Sequence, residues 1–364
     1  MAITKIPAAG FTGNNFRNII INGDMSIAQR ATSTSGISTT GRFVLDRWKL
    51  NVDTMGAWTV SQSTDVPTGQ GFASSIKWDC TTADASPSAS DNIQCQYRTE
   101  GQNLQYIKKG TSSAESLTLS FWVKSNKTGT YIAELRDKDN SNRHINKSYT
   151  ISSADTWEKK TITFAGDTTG TLTNDNSTSI DLNFWLGAGT DWTSGTLQTS
   201  WGASTSANRA VGQVNLADST SNYINITGVQ LEAGTTASDF EFLPYDVNLR
   251  RCYRYCYRIN GNAIDDTMIG AVGYAATTSR IDNQIQFLVP MRAVPSVSEA
   301  VIEATPGNIA SSLGSLFDND GTKDITTLGF QLNADSGTPF TVNNIYLARC
   351  DANASAFIEF DAEL

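Results

Sequence analysis

The sequence predicts an all-β protein: a jelly-roll β-sandwich, one linking helix, then a smaller C-terminal β-sandwich domain. Three observations carry this. Short segments alternate apolar and polar residues, turn clusters of Ser, Thr, Asn, Gly and Asp separate them, and one stretch alone repeats at helical spacing. Composition agrees. Hydrophobic residues make up 39% and charged residues 17% of 364, against the usual ~45–50% and ~25% of globular domains.

In chain order, residues 1–17 read as an arm. The jelly-roll domain, 18–245, follows with strands expected at 42–50, 58–61, 74–79, 92–97, 117–123, 130–135, 157–164, 180–186 and 223–231. The pattern is strictest at Leu117, Leu119, Phe121 and Val123, with Trp122 on the opposite face. A helix is expected at 246–258. Asp246 is placed to cap it, Leu249, Cys252, Tyr253 and Cys256 share a face, and Arg250, Arg251 and Arg254 lie elsewhere. Such a helix reads as a strut between two β regions rather than a nucleic-acid patch. The second domain, 259–364, has strands expected at 268–275, 281–289, 296–304, 325–332, 341–348 and 354–360, with Pro290 and Pro295 bracketing a turn. All eight tryptophans precede residue 202, and no proline lies between Pro87 and Pro244. That shift in composition predicts two differently built cores.

The net charge of −9 argues against non-specific binding to nucleic acid, where affinity comes from Lys and Arg displacing counterions. No apolar run approaches the ~18 residues of a membrane span. The first residues lack the apolar core of a signal peptide, so synthesis in a cytoplasm is expected, with no membrane insertion. The five cysteines are then expected as free thiols, although Cys80 and Cys95, flanking an expected hairpin, could geometrically pair.

Catalytic chemistry is thinly supplied. The single histidine, His144, lies in polar, loop-like sequence and is expected to be a solvated surface side chain. No nucleophile elbow or phosphate-binding glycine loop occurs. Paired carboxylates need no histidine, and Glu134, Glu158, Asp181 and Glu232 lie on or beside strands, but the sequence alone does not place any two within the reach that glycoside hydrolysis needs. Asp318, Asp320 and Asp324, around Gly321, place carboxylates at alternating positions as calcium loops do; an Asx-rich turn is the plainer reading. Trp192 and Trp201 sit in Gly-rich polar surroundings, where loop aromatics could stack on a ligand. Trp122, Trp157 and Trp185 fit strands and read as packing residues.

The segment Asn18-Ile-Ile-Ile-Asn-Gly-Asp-Met-Ser-Ile-Ala-Gln-Arg30, followed by Asp46-Arg-Trp48, resembles the opening of a domain of bacteriophage tail-fibre and virion proteins. Leu117–Ser125, the Gly129-Thr-Tyr131 step and residues 156–164 continue the resemblance. So do Trp185-Leu-Gly-Ala-Gly189, Ile226-Thr-Gly-Val-Gln-Leu-Glu-Ala-Gly234, Phe240-Glu-Phe-Leu-Pro-Tyr245 and Arg251-Cys-Tyr-Arg-Tyr255. It covers roughly 16–258, and residues 287–296 resemble the small β domain that often follows. The resemblance implies a jelly roll similar to carbohydrate-binding modules, a homotrimer, and a virion location. It implies attachment to other virion proteins through the N-terminal arm and binding of host-surface glycans without catalysis. A capsid or tail decoration protein contacting only virion proteins is the alternative. A tailspike depolymerase is a third, disfavoured because no β-helix repeats are present.

Overall fold

The computed structural model describes residues 16–42, 44–261, 267–275, 277–278, 280–300, 302–305, 311–315, 326–336, 340–350 and 355–364. The chain divides into two units, Met1–Pro244 and Tyr245–Leu364.

In the first unit the alternating segments become strands β1 (Ser33–Ile37), β2 (Trp48–Asp53), β3 (Ala57–Ser63), β4 (Ser75–Thr82), β5 (Asn92–Glu100) and β6 (Leu117–Ser125). They continue with β7 (Gly129–Asp137), β8 (Arg143–Ile151), β9 (Glu158–Phe164), β10 (Thr178–Ala188) and β11 (Tyr223–Ala233). Two antiparallel sheets result, in the orders β1-β3-β4-β11-β6-β9 and β2-β5-β10-β7-β8. This is the all-β jelly-roll sandwich that the alternation predicts. Leu117, Leu119, Phe121 and Val123 are buried on β6 as expected, and Trp122 is half-exposed on the far side. The Phe121 ring meets Phe184 of the opposite sheet edge-on at 4.9 Å and Tyr149 at 5.1 Å. Edge-to-face contacts of this kind lock two inner faces together at about the ~10 Å spacing of packed sheets.

Before β1 the chain is tied down by side-chain amides. Asn18 Nδ2 donates to the Val229 carbonyl (3.1 Å), and its Oδ1 accepts from the Ile20 and Leu231 amides. Gly23 approaches β11 so closely that a Cβ would stand 2.1 Å from the Val229 carbonyl oxygen, so only glycine fits. Asn22 donates to the Ile27 and Asp46 carbonyls and accepts from the Ile27 amide. Trp48 Nε1 closes the group on the Asn22 carbonyl at 3.0 Å. The Asn18–Arg30 and Asp46-Arg-Trp48 segments are thus an architectural knot.

Four expectations are corrected in this unit. Arg143–Ile151, where no strand is expected, is β8, because it pairs with β7 along its whole length and buries Ile145, Tyr149 and Ile151 on the core face. His144 is consequently fully buried rather than solvated. Cys80 and Cys95 do not flank a hairpin: they are buried free thiols on β4 and β5, which belong to different sheets. Trp157, expected to pack, is only half-buried and donates its indole N–H to Asp65 at 3.0 Å.

In the second unit the helix α2 (Tyr245–Tyr253) stops five residues before the expected 258. Cys256–Asn260 instead forms β12, because it pairs along its whole length with Phe357–Asp361, β20. The other side of β20 pairs with β15 (Ser296–Ala300). The remaining strands are β13 (Thr267–Ala275), β14 (Arg280–Gln286), β16 (Ile302–Thr305), β17 (Ser311–Ser315), β18 (Gly329–Ser336) and β19 (Ile345–Cys350). They close into a barrel in the order β13-β14-β18-β17-β16-β19. The unit is all-β as expected, but these strands form no open two-layered sandwich, since β19 pairs with both β13 and β16 and closes the sheet on itself.

Replacing Phe121 with Ala removes the ring that joins the two sheets of the first unit. A loss of about 3–5 kcal/mol is expected, measurable by denaturant unfolding.

Candidate functional site

Strand pleating gives the five-stranded sheet a second face, turned away from the core. On β5, Ile93, Cys95 and Tyr97 face inward, which leaves Gln94, Gln96 and Arg98 outward. Strand register then assembles rows of polar side chains. Lys49, Gln96, Asn183, Glu134 and Asn146 form one row across β2, β5, β10, β7 and β8. Arg98, Asp181, Arg136 and His144 form the next, and Asn51, Gln94 and Trp185 the one on the other side. Directly opposed residues on neighbouring strands have Cβ atoms ~4.5–5.5 Å apart, so each row is a connected polar strip.

The chain between β10 and β11 folds over part of this face. It opens with the single turn α1 (Thr190–Thr193), and residues 198–202 then run beside β8. The Asn146 amide donates to the Gln198 carbonyl, and the His144 amide donates to that of Gly202. Arg209 follows and reaches down to Glu134, its Nε and Nη2 donating to the two carboxylate oxygens at 2.6 and 2.7 Å. Asn183 adds a bond to Glu134 Oε2 at 2.8 Å. The Arg209 guanidinium also lies 5.0 Å from the Trp185 ring and 5.1 Å from that of Trp192. Beside the overlay remains a cleft of about 1150 Å³, lined among others by Thr40, Asn51, Gln94, Arg136, Trp192 and Arg209. Its volume is ample for a ligand of several rings.

Burial pushes the Glu134 carboxyl upward, but the Arg209 guanidinium outweighs it and the net shift is down. Asp181 goes the other way: burial raises it, and Arg98 at 3.4 Å, Lys138 and Arg136 only partly offset this. Lys49 is lowered to about 8 by burial and by the positive charges of Arg98 and Arg42. Burial, then Arg209 and Arg136, lower His144 despite the opposing pull of Glu134. Several atoms of the face find no hydrogen-bond partner within the protein: both His144 ring nitrogens, Asp181 Oδ1, Asn146 Oδ1, Gln96 Oε1 and Arg136 Nε. Folded proteins leave few buried polar atoms unmatched. These atoms concentrate on the outer side of the five-stranded sheet, and among them Arg136 lines the cleft.

Of the carboxylates singled out in the sequence, Glu134 and Asp181 come together on this face. Glu158 instead caps the Ser152 and Ser153 amides, and Glu232 holds the Ser238 turn. Both oxygens of Glu134 are already engaged, which makes it a structural anion rather than a nucleophile or base. Trp192 lines the cleft half-buried, its ring 5.7 Å from Trp185 and its N–H donating to the Ser90 carbonyl at 3.0 Å. Trp201 is half-buried, donates to the Ala165 carbonyl at 2.7 Å and does not line the cleft. Asp318, Asp320 and Asp324 lie outside the described residues, as do residues 1–15 of the arm. Among the described residues no cluster of three or more His, Cys, Asp or Glu could hold a metal ion. Arg136, Arg209 and His144 were not legible as site residues. The usable signal was the outward set Gln94, Gln96 and Arg98, amides and a guanidinium where a wet sheet face usually carries Ser, Thr or Lys.

No protein-family model and no curated protein matches the chain. Among solved structures, it is similar to the enzymatically active domain of tailspike protein 4 of bacteriophage CBA120, with 14% identity and a TM-score of 0.32 over 60% of this chain. The match spans about a fifth of the tailspike chain, 22%. TmCBM61 in complex with β-1,4-galactotriose gives 12% identity and a TM-score of 0.30, covering 60% of this chain and 99% of that one. The family 11 carbohydrate-binding module of Clostridium thermocellum, in complex with a β-1,3-1,4-mixed-linked tetrasaccharide, gives 12% and 0.29, covering 56% and 98%. At such scores the jelly roll rests on this chain's own strand order.

Glu134→Gln leaves Arg209 buried without its counter-charge, and a destabilisation of about 3–5 kcal/mol is expected. Because the folded pKa of Glu134 lies below its ordinary 4.5, the contribution is complete above that value and disappears as the pH falls beneath it. Chemical denaturation of both proteins across that range should show the difference between them shrinking in acid.

Proposed function

We propose that the protein is a saccharide-binding module of a phage virion appendage, acting by recognition rather than catalysis. The observation that carries the binding part is the cleft on the outer sheet face, lined by the amides of Asn51, Asn92 and Gln94, the guanidinium groups of Arg136 and Arg209, the carboxylates of Asp53 and Asp84 and the Trp192 ring, with Arg136 Nε unmatched within the protein. A saccharide presents a dense set of hydroxyl donors and acceptors, which such a lining can match. It also has C–H faces that pack on an aromatic ring such as Trp192 at the cleft wall. The engagement of Glu134 by Arg209 and Asn183 favours binding over a two-carboxylate hydrolysis, which needs a second free carboxylate. The virion part is supported by the resemblance of the ordered segments between 18 and 258 to tail-fibre and virion proteins.

A glycan array probed with the purified protein should retain it on a defined set of oligosaccharides. Asn51→Ala and Trp192→Ala, checked for unchanged circular dichroism, should each weaken that binding by about tenfold, roughly 1.4 kcal/mol. Retention on no saccharide sinks the binding reading. The virion reading carries homotrimeric assembly with it, and a solution mass corresponding to a stable 39.3 kDa monomer would refute the trimer. Its absence from purified particles by mass spectrometry would refute the location.

A further inference from the structure

The outer face of the five-stranded sheet carries more positive charge than its own carboxylates neutralise. Lys49, Arg98, Arg136, Lys138 and Arg209 act on one another there, and Glu134 and Asp181 are the carboxylates among them. Arg209 is committed to Glu134, and Arg98 lies beside Asp181. That leaves Lys49, Arg136 and Lys138. Among the described residues none of these three has a carboxylate within ion-pair distance, and the Lys138 ammonium donates to the neutral Asn142 Oδ1 at 2.7 Å.

The placement opposes the overall charge of the chain, which is −9. Holding like charges together in a half-buried setting costs free energy. The cost shows in the downward shifts of Lys49, Lys138 and Arg136, each led by burial and deepened by neighbouring cations. The acidic residues lining the cleft, Asp53 and Asp84, do not relieve it. Asp53 lies four residues along β2 from Lys49, about 13 Å at strand rise. The cleft is therefore electrically polarised, with Arg136 of the row Arg98, Asp181, Arg136 and His144 at its cationic end. At that end the fully buried His144 leaves both ring nitrogens unmatched.

We infer that the saccharide taken by this cleft is an acidic one, whose carboxylate or sulfate group is held by Arg136, the one of these three cations that lines the cleft, while Lys49 and Lys138 add positive charge from the sheet face beside it. The inference rests on the saccharide-binding reading above and specifies its ligand. A guanidinium offers paired donors that match the oxygens of either anion, and the flanking ammonium groups add charge without demanding fixed geometry.

Calorimetric titration of the full chain with matched ligands tests it. Galacturonic acid oligosaccharide is compared with its carboxyl-reduced form, and carrageenan oligosaccharide with its desulfated form. At low salt at least one charged ligand should bind about tenfold or more tighter than its neutral counterpart, and the pair that shows the preference identifies the anion. The preference should shrink as ionic strength rises. It should fall again as the pH passes through about 8, where Lys49, faced by Arg98, Arg42, Lys138 and Asp181, loses its charge. Arg136→Gln should bring the charged and neutral ligands of each pair to equal affinity. Lys49→Gln, on a half-exposed site, supplies the same readout should the first variant fold poorly. Equal or tighter binding of the neutral forms overturns the acidic ligand and leaves the saccharide site standing. Binding of neither charged nor neutral saccharide overturns the site itself.

Discussion

The double hydrogen bond between Arg209 and Glu134 governs what the outer face of the first unit can do. A carboxylate with no exposed surface in the middle of a sheet is tolerable only when its charge is met and its lone pairs are filled. Arg209 meets both needs from the segment between β10 and β11, beside the apolar cluster in which Ala210, Trp192 and Leu197 pack on Trp185. In doing so it fixes the path of the chain between β10 and β11. It also sets Trp192 against Trp185, with the guanidinium close to both rings, an arrangement that adds cation–π attraction to the ion pair. The wall of the cleft is therefore held by electrostatics, while the sandwich beneath it is held by ring packing. Because this one anion is matched by this one cation, the other cations of the face keep their charge for something else.

The two faces of the five-stranded sheet divide the labour. Inward, Phe184, Tyr149 and Tyr97 join the aromatic core with Phe121 and Trp48. Outward, the same strands present amides and charged groups at alternate positions. The pleat makes this division inexpensive, since each strand serves stability and recognition with residues that never compete for the same space.

The inward half was readable in the sequence because apolar alternation is a strong periodic signal: β6 and β10 fall close to where the pattern puts them. The outward half was nearly unreadable. Glu134 and Asp181 are ordinary carboxylates until strand register sets them on neighbouring strands with Arg136 and Arg209 around them, and register is a long-range property. β8 was missed because Lys147 interrupts its apolar face and acidic and amide residues crowd its approach, and with it the burial of His144 was missed. In retrospect Ile145, Tyr149 and Ile151 at even spacing carried the signal. The end of α2 followed the same rule, with pairing to β20 overriding a helical spacing that continued to Cys256. The segments that resembled phage proteins were legible as a pattern, but their physical role was not. Asn18, Asn22 and Gly23 form a knot of amides and close backbone approach, remote in kind from any ligand.

That knot has a consequence for biosynthesis. Asn18 and Gly23 are hydrogen-bonded to Val229 and Leu231, so the two ends of the first unit are stitched together across more than two hundred residues of chain. A ribosome releases residue 18 long before residue 231 exists. The N-terminal segment must wait, without its native partners, for most of the unit to be made, and contacts this distant in sequence form slowly. Folding of the sandwich is therefore expected to be sealed late, in a single closing step, and until that step the Asn18 side-chain amide, which bonds Val229 and Leu231, is open to water and to any chaperone that holds extended chain.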